Sequence, residues 1–295
     1  MNAEQNNVAL AKRQSLAPIN YFSIQELMAM PPFWGWVDCE PKQGTRFRML
    51  LGGADDGVAL RFFWNGGYER KTLELWTELA ARADWVLDVG AHTGAYSLAA
   101  LAANRSGGVA SFEPYFMNFA RLNLNLRSNG FRTSHAWMLA VGDRNETLPF
   151  QIKTGPDYLT TGGGIGSSED ALNIKVQAVS LDSYLPAEIQ SRVSLIKLDV
   201  EGYEATCLRG MTALLDRAAP DIFFECTDKT GGQSVQAILQ PLGYQFFEID
   251  DHASSVTETQ SIEPRHDGWG RVLMSRLNRV ATKGNAEFFR KMARV

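Results

Sequence analysis

The sequence predicts a doubly wound α/β domain, and three observations carry that expectation. Short apolar runs alternate with helical patterns between residues 85 and 242, which implies a mostly parallel sheet with both faces covered. A turn with two glycines, Gly90-Ala91-His92-Thr93-Gly94, joins the first run to an alanine-rich helix. Three later runs close on acids, Glu113, Asp199 and Glu225, at the strand ends where open α/β sheets bind ligands.

Residues 1–30 are weakly patterned and read as a mobile arm followed by a helix at Ile24–Met30. Pro31-Pro32 stops that helix, because proline cannot donate and restricts its predecessor. Arg46–Leu51 and Val58–Trp64 read as strands of a hairpin around residues 52–57. Leu73, Leu75, Trp76, Leu79 and Ala80 give Glu69–Ala83 a helical stripe. The alternation then runs Trp85–Val89, helix Ala95–Ala103, Val109–Glu113, and a helix through Phe116 and Leu126 closed by Gly130. A third run lies near Ala136–Val141. The fourth, Val193–Val200, precedes a helix from Tyr203 to Arg217, and the fifth, Asp221–Cys226, precedes a helix to Leu242. Only a loop joins Tyr244–Ile249 to Gly270–Met274, so the last strand is expected antiparallel. Leu148–Ile152 and Ile174–Val179 form an inserted hairpin around Gly162–Gly166, and helix Leu181–Gln190 leads back to the sheet. The resulting plan is an N-terminal arm, helix and hairpin (1–66), an α/β domain (67–280) and a basic C-terminal tail (281–295).

At 45% hydrophobic and 21% charged residues, the 295-residue chain has ample apolar mass for a core. A net charge of -4 gives no reason to expect nucleic acid or an acidic membrane surface as partner. Cys39, Cys207 and Cys226 form no C-x-x-C pair and read as reduced thiols. The first twenty residues lack the apolar core of a leader peptide, and no run is long enough to span a bilayer. A cytoplasmic protein is therefore expected. The last 26 residues hold seven Lys or Arg against one acid and read as a solvated helix, with a binding patch as the alternative.

The turn matches neither G-x-G-x-x-G nor a Gly-Lys-Ser/Thr phosphate loop. Asp88 would set a carboxylate beside a pyrophosphate, and so favours a cationic ligand part, such as the amino group or sulfonium of S-adenosylmethionine. Glu113, twenty-three residues after Gly90, can accept both ribose hydroxyls of an adenosine, and Pro114 ends its strand. Asp199 and Glu201 stand two apart, so strand alternation would turn them to one side. Glu225 occupies the corresponding end of the next strand. Three carboxylates on one rim call for a cation, a metal or hydroxyl groups, since like charges raise one another's pKa. The competing reading makes Glu201 or Glu204 a cap of the following helix.

The strings V-L-D-V-G-A-H-T-G (86–94), F-E-P (112–114) and I-K-L-D-V-E-G-Y-E-A-T-C-L-R-G (196–210) together resemble the FkbM family of methyltransferases. Gly67-Tyr68-Glu69 and Ala140-Val141-Gly142-Asp143 resemble it too, so the likeness spans roughly Tyr68 to Cys226. The I-K-L-D-V-E-G-x-E block is its distinctive part. The resemblance implies a Rossmann-like, seven-stranded class I methyltransferase fold, with S-adenosylmethionine as donor and a sugar or natural-product hydroxyl as acceptor. His92 and Thr93 depart from the asparagine and isoleucine common in that family.

On this reading Asp88 and the backbone of Gly90, Ala91, His92, Thr93 and Gly94 hold the methionine part. Glu113 holds the ribose, Val141 to Asp143 flank the adenine, and Tyr68 and Glu69 close over the methionine end, although Glu69 also suits a helix start. Asp199 is the first candidate for general base, then Glu201 and Glu225; a positioned base contributes about 10²–10⁴-fold. A Mg²⁺ on the same rim is the alternative way to acidify a hydroxyl. His92 has either a base role or a packing role. His135, His252 and His266 show no metal-ligand spacing. Phe33-Trp34-Gly35-Trp36 suits a sugar-stacking lid or the core, and Gly162–Gly166 a substrate gate or a surface loop. The leading expectation is an O-methyltransferase of a sugar, glycan or glycosylated natural product. The rivals are an N-methyltransferase of a small amine or guanidine and a non-catalytic donor-binding partner module; an NAD-linked oxidoreductase lacks its third glycine. The arm and tail are also placed to pack on a second subunit.

Overall fold

A computed structural model describes residues 2–131, 134–152, 162–169 and 171–292. The chain opens on a helix, α1 (Asn2–Gln14), where a mobile arm was expected. Asn6 exchanges two hydrogen bonds with the Trp34 backbone, and Arg13 donates to the carbonyls of Phe63, Ala17 and Pro18. The contacts to Trp34 and Phe63 are long-range and polar, which leaves no local period to read. Helix α2 (Ile24–Met28) begins in a reciprocal Ser23–Glu26 capping box.

Strands β1 (Phe33–Lys42) and β2 (Thr45–Gly53) form an antiparallel hairpin. The hairpin expected between 46–51 and 58–64 is therefore corrected: its second arm is helix α3 (Gly57–Asn65). Asp56 caps that helix through the N–H groups of Val58 and Ala59, and Gly66 at φ 76° ends it. Val58–Trp64 is almost wholly apolar, and such a run does not show whether it is strand or buried helix. Phe33 stacks on Phe63 at 4.4 Å, so this part of the aromatic stretch is packing. Helix α4 (Arg70–Ala80) follows.

The sheet then builds from β3 (Trp85–Val89), α5 (Ala95–Ala103), β4 (Gly108–Phe112), α6 (Phe116–Ser128) and β5 (Ser134–Trp137). The chain leaves it for a smaller four-stranded sheet of β6 (Ala140–Val141), β7 (Glu146–Ile152), β8 (Gly163–Ile165) and β9 (Leu172–Val179). The third apolar run is thus split between two sheets. Gly163–Ile165 pairs with β7 instead of forming an open loop. The return passes through α7 (Leu181–Tyr184) and α8 (Ala187–Gln190), with Pro186 between them. Next come β10 (Val193–Leu198), α9 (Glu204–Arg209), α10 (Thr212–Ala218), β11 (Asp221–Glu225) and α11 (Lys229–Leu239). The single helix expected over 203–217 breaks at Gly210, where an added Cβ would stand 1.8 Å from the Gly142 carbonyl oxygen. The chain closes with β12 (Gln245–Asp250), β13 (Ser255–Thr259), β14 (Asn278–Thr282) and α12 (Ala286–Met292).

The main sheet has the order β13-β12-β14-β11-β10-β3-β4-β5. Five strands from β11 to β5 are parallel, and β14 runs antiparallel between β11 and β12. This is the expected doubly wound sheet of seven strands, with β13 added at one edge. The antiparallel strand is Asn278–Thr282; Gly270–Met274 supplies only a bridge from Val272 to His266. Nor are the last 26 residues a free solvated helix. Arg279 is buried against Glu248, and Phe289 of α12 packs on Phe223 and Phe247.

Alternation along the strands sorts the core. Val86, Val109, Leu195, Phe223 and Val280 face α4, α5 and the N-terminal hairpin, whereas Leu87, Ala110, Ile196, Ile222 and Phe224 face the other way. Among the described residues no helix is long and apolar enough to cross a membrane.

Candidate active site

The glycine turn is shaped by the neighbouring strand. Gly90 has φ +78°, and a Cβ there would lie 1.8 Å from the backbone oxygen of Asp199. Asp199 in turn donates its N–H to the Val89 carbonyl at 2.9 Å. The tips of β3 and β10 are thus fused, and only glycine fits the junction. His92 holds φ +51°, a left-handed conformation costing about 1–2 kcal/mol for a residue with a Cβ. Its N–H is fixed to Glu113 Oε2 at 2.8 Å, and its ring meets the Thr93 hydroxyl at 3.2 Å. Glu69 and Glu201, at the neighbouring acid cluster, are also left-handed, as strain at functional sites leads one to expect.

Glu113 follows β4, with Pro114 after it. Its two oxygens accept the N–H groups of His92 and Tyr115, both at 2.8 Å, and burial raises its pKa. Asp88 lies beneath the turn rather than in it. It is 1% exposed, and its Oδ2 accepts from the N–H and hydroxyl of Ser97 in α5, while Ser97 meets Ser111 at 2.7 Å. Asp88 therefore braces the helix that the turn opens.

The acids at the other strand ends gather around a residue that motif reading passed over. Lys197, one residue inside β10 from its end, is fully buried. Its Nζ lies 3.3 Å from Asp199 Oδ2, 3.4 Å from Asn278 Oδ1 and 4.9 Å from the centre of the Tyr96 ring. Burial alone would lower its pKa, yet Asp199, Glu69 and Glu225 together raise it. Asn278 bridges from Lys197 to Asp251, whose other contacts are the N–H and hydroxyl of Thr72. Glu69 accepts the Tyr96 hydroxyl, and Tyr68 has its pKa raised by burial and by Glu69, Asp199 and Glu225. Glu225 is pushed well above the carboxylate range, first by burial and then by Asp199.

The strand ends at Leu198, so alternation does not extend to Glu201. That residue sits in an exposed turn at φ +53°, still close enough to raise the Glu225 pKa. Glu204 ties down the same turn by accepting from Val200 and Gly202. Val141 and Asp143 lie in and just after β6; Val141 is buried, and Asp143 turns outward to Arg209 at 3.8 Å. Among the described residues no group of three His, Cys, Asp or Glu is placed to hold a metal ion. The positive charge among these acids is Lys197, which removes the physical reason for placing Mg²⁺ there.

One titration follows from the burial. Asp88 and Asp251 are each raised from 3.8 to about 6, chiefly by desolvation. Folding then binds extra protons between pH 4 and 6, so stability falls as pH rises through that window. For each group the effect is of order 2–3 kcal/mol. Urea titrations at pH 4 and pH 7 should show the advantage of wild type over Asp88→Asn shrinking by about that amount. A constant difference would mean that Asp88 is ionised throughout.

The family model described as the methyltransferase FkbM domain matches residues 88–252, more than half of the chain. No curated protein gives a significant match. Among solved structures, methyltransferase FkbM from Methylobacillus flagellatus KT is similar at 14% identity and a TM-score of 0.46, over 76% of this chain and 52% of that one. This chain thus spans about half the length of that relative. Precorrin-6y C5,15-methyltransferase from Geobacter metallireducens GS-15 gives 12% identity and 0.41, over 74% and 89%. An S-adenosylmethionine-dependent O-methyltransferase from Thermotoga maritima gives 14% and 0.38, over 74% and 65%. At these values the structural likenesses carry no argument, and the assignment rests on the sequence match. The chain belongs to the FkbM family of S-adenosylmethionine-dependent methyltransferases.

Proposed function

We propose that the chain methylates a hydroxyl of a sugar, glycan or glycosylated natural product. The observation that carries this reading is the Lys197 centre: carboxylates are held at the strand tips immediately beside the glycine turn. Such an arrangement suits a neutral nucleophile that must lose a proton.

S-adenosylmethionine fits the residues present. Gly90 and Gly94 leave the two ends of the turn without side chains, and the Glu113 carboxylate keeps lone pairs beyond those used by His92 and Tyr115. Glu113 would hold the ribose and the turn the methionine part. When bound, the donor supplies an electrophilic methyl group for in-line displacement, leaving a neutral thioether. Asp199, a quarter exposed, takes the acceptor's proton as the new O–C bond forms. Lys197 orients its carboxylate and offsets the neighbouring acids. Burial and Asp199 raise the Glu225 pKa, so Glu225 holds a proton more readily than Asp199 and is the weaker candidate for the base.

Calorimetry with S-adenosylmethionine and NAD in parallel tests the donor, and labelled donor with sugar and amine acceptors tests the chemistry. Binding of S-adenosylmethionine alone and label on hydroxyls are expected. Label appearing only on amines would replace this reading with N-methylation.

A further inference from the structure

A cavity of about 420 Å³ opens on the outer side of the Lys197 centre, a size suited to a small molecule. Tyr68 and Asp251 form its inner wall, and Tyr21, Arg70 and His252 line it further out. Arg70 is the informative residue. Its Nη1 is buried and meets no hydrogen-bond partner among the described residues, and its guanidinium lies 4.6 Å from the centre of the Tyr21 ring. A buried donor left unpaired is costly, and a guanidinium more so.

The acids on the wall are engaged elsewhere. Glu40 holds Arg46 at 3.0 Å and the Gly44 N–H at 2.8 Å; Glu74 lies 3.4 Å from Lys71; both Asp251 oxygens are bound by Thr72, and one also by Asn278. Burial and Arg70 both lower the His252 pKa, Asp250 opposing them, so its imidazole is neutral at pH 7. Arg70 is therefore the charge on this wall with a buried donor, Nη1, that meets no hydrogen-bond partner among the described residues. We infer that the cavity seats the methyl acceptor and that Arg70 binds a carboxylate or phosphate on it. The acceptor is a hydroxylated small molecule with an acidic group, held with its hydroxyl toward Tyr68 and the Asp199 carboxylate. This rests on the methyltransferase reading for the word acceptor, but the binding itself does not.

The test is ligand-observed NMR titration of the full chain, without donor, using D-glucose, D-glucuronate and D-glucose 6-phosphate. One or both acids should bind about tenfold or more tightly than glucose, as expected for hydrogen bonds to a charged group. Which acid wins separates carboxylate from phosphate. Arg70→Met should abolish the preference with a urea midpoint no lower than wild type, and Arg70→Lys should keep part of it, since a point charge replaces a planar fork. Equal affinity for all three sugars, no binding of either acid, or a preference that survives Arg70→Met overturns the proposal. Failure of the chain to bind S-adenosylmethionine would instead remove the methyltransferase reading and leave this result standing.

Discussion

Lys197→Met is expected to destabilise the protein by about 3–5 kcal/mol, the usual result of removing one partner from a buried charged set. Methionine matches the aliphatic stem, so the loss comes from the ammonium alone. Without it Asp199, Glu69 and Glu225 face one another beside Tyr96 and Tyr68 with no compensating charge. The sign of the pH dependence is determined on both sides. The Lys197 pKa is raised, so its contribution is fully present below the unfolded value of about 10.4 and is lost only as pH rises through the folded one. In the variant the carboxylates bind protons more readily, so acid relieves their repulsion. Urea midpoints should therefore lie further below wild type at pH 8 than at pH 5.5. A variant as stable as wild type at both would show that the acids do not depend on Lys197.

Asp199→Asn should lower kcat by about 10²–10⁴-fold while the chain stays folded and binds donor. The amide keeps the size of the side chain but cannot take a proton. Glu225→Gln should cost far less, because an amide resembles the uncharged carboxyl that burial favours. Asp199→Asn turning over within tenfold of wild type would move the base to another acid of the cluster.

The legible parts of the site were those written in consecutive residues. Gly90 and Gly94 announce a turn because their positive φ is a local requirement, and Glu113 is placed by the length of one strand–helix–strand step. Lys197 also left a signal, a charged residue between Ile196 and Leu198 in an otherwise apolar strand, and such residues are seldom buried without partners. Asn278, Asp251 and Tyr96 left none. Asn278 lies 81 residues from Lys197, and Asp251 lies 179 residues from Thr72, so their contacts exist only after the sheet has closed. The same reason explains α3 and α1. A continuous apolar run does not declare its period, and a polar helix pinned by Asn6 and Arg13 depends on partners elsewhere in the chain.

By itself the sequence determined the doubly wound sheet, the glycine turn and the family, because hydrophobic alternation and left-handed glycines act over a few neighbouring residues. Tertiary structure alone decided that Asp88 is a brace and that Lys197 gathers the acids. It also decided that Arg70 Nη1 is left without a hydrogen-bond partner among the described residues, at the wall of a cavity. Charge pairing depends on distance and burial in space, and residues far apart in the chain meet only once the strands are in register.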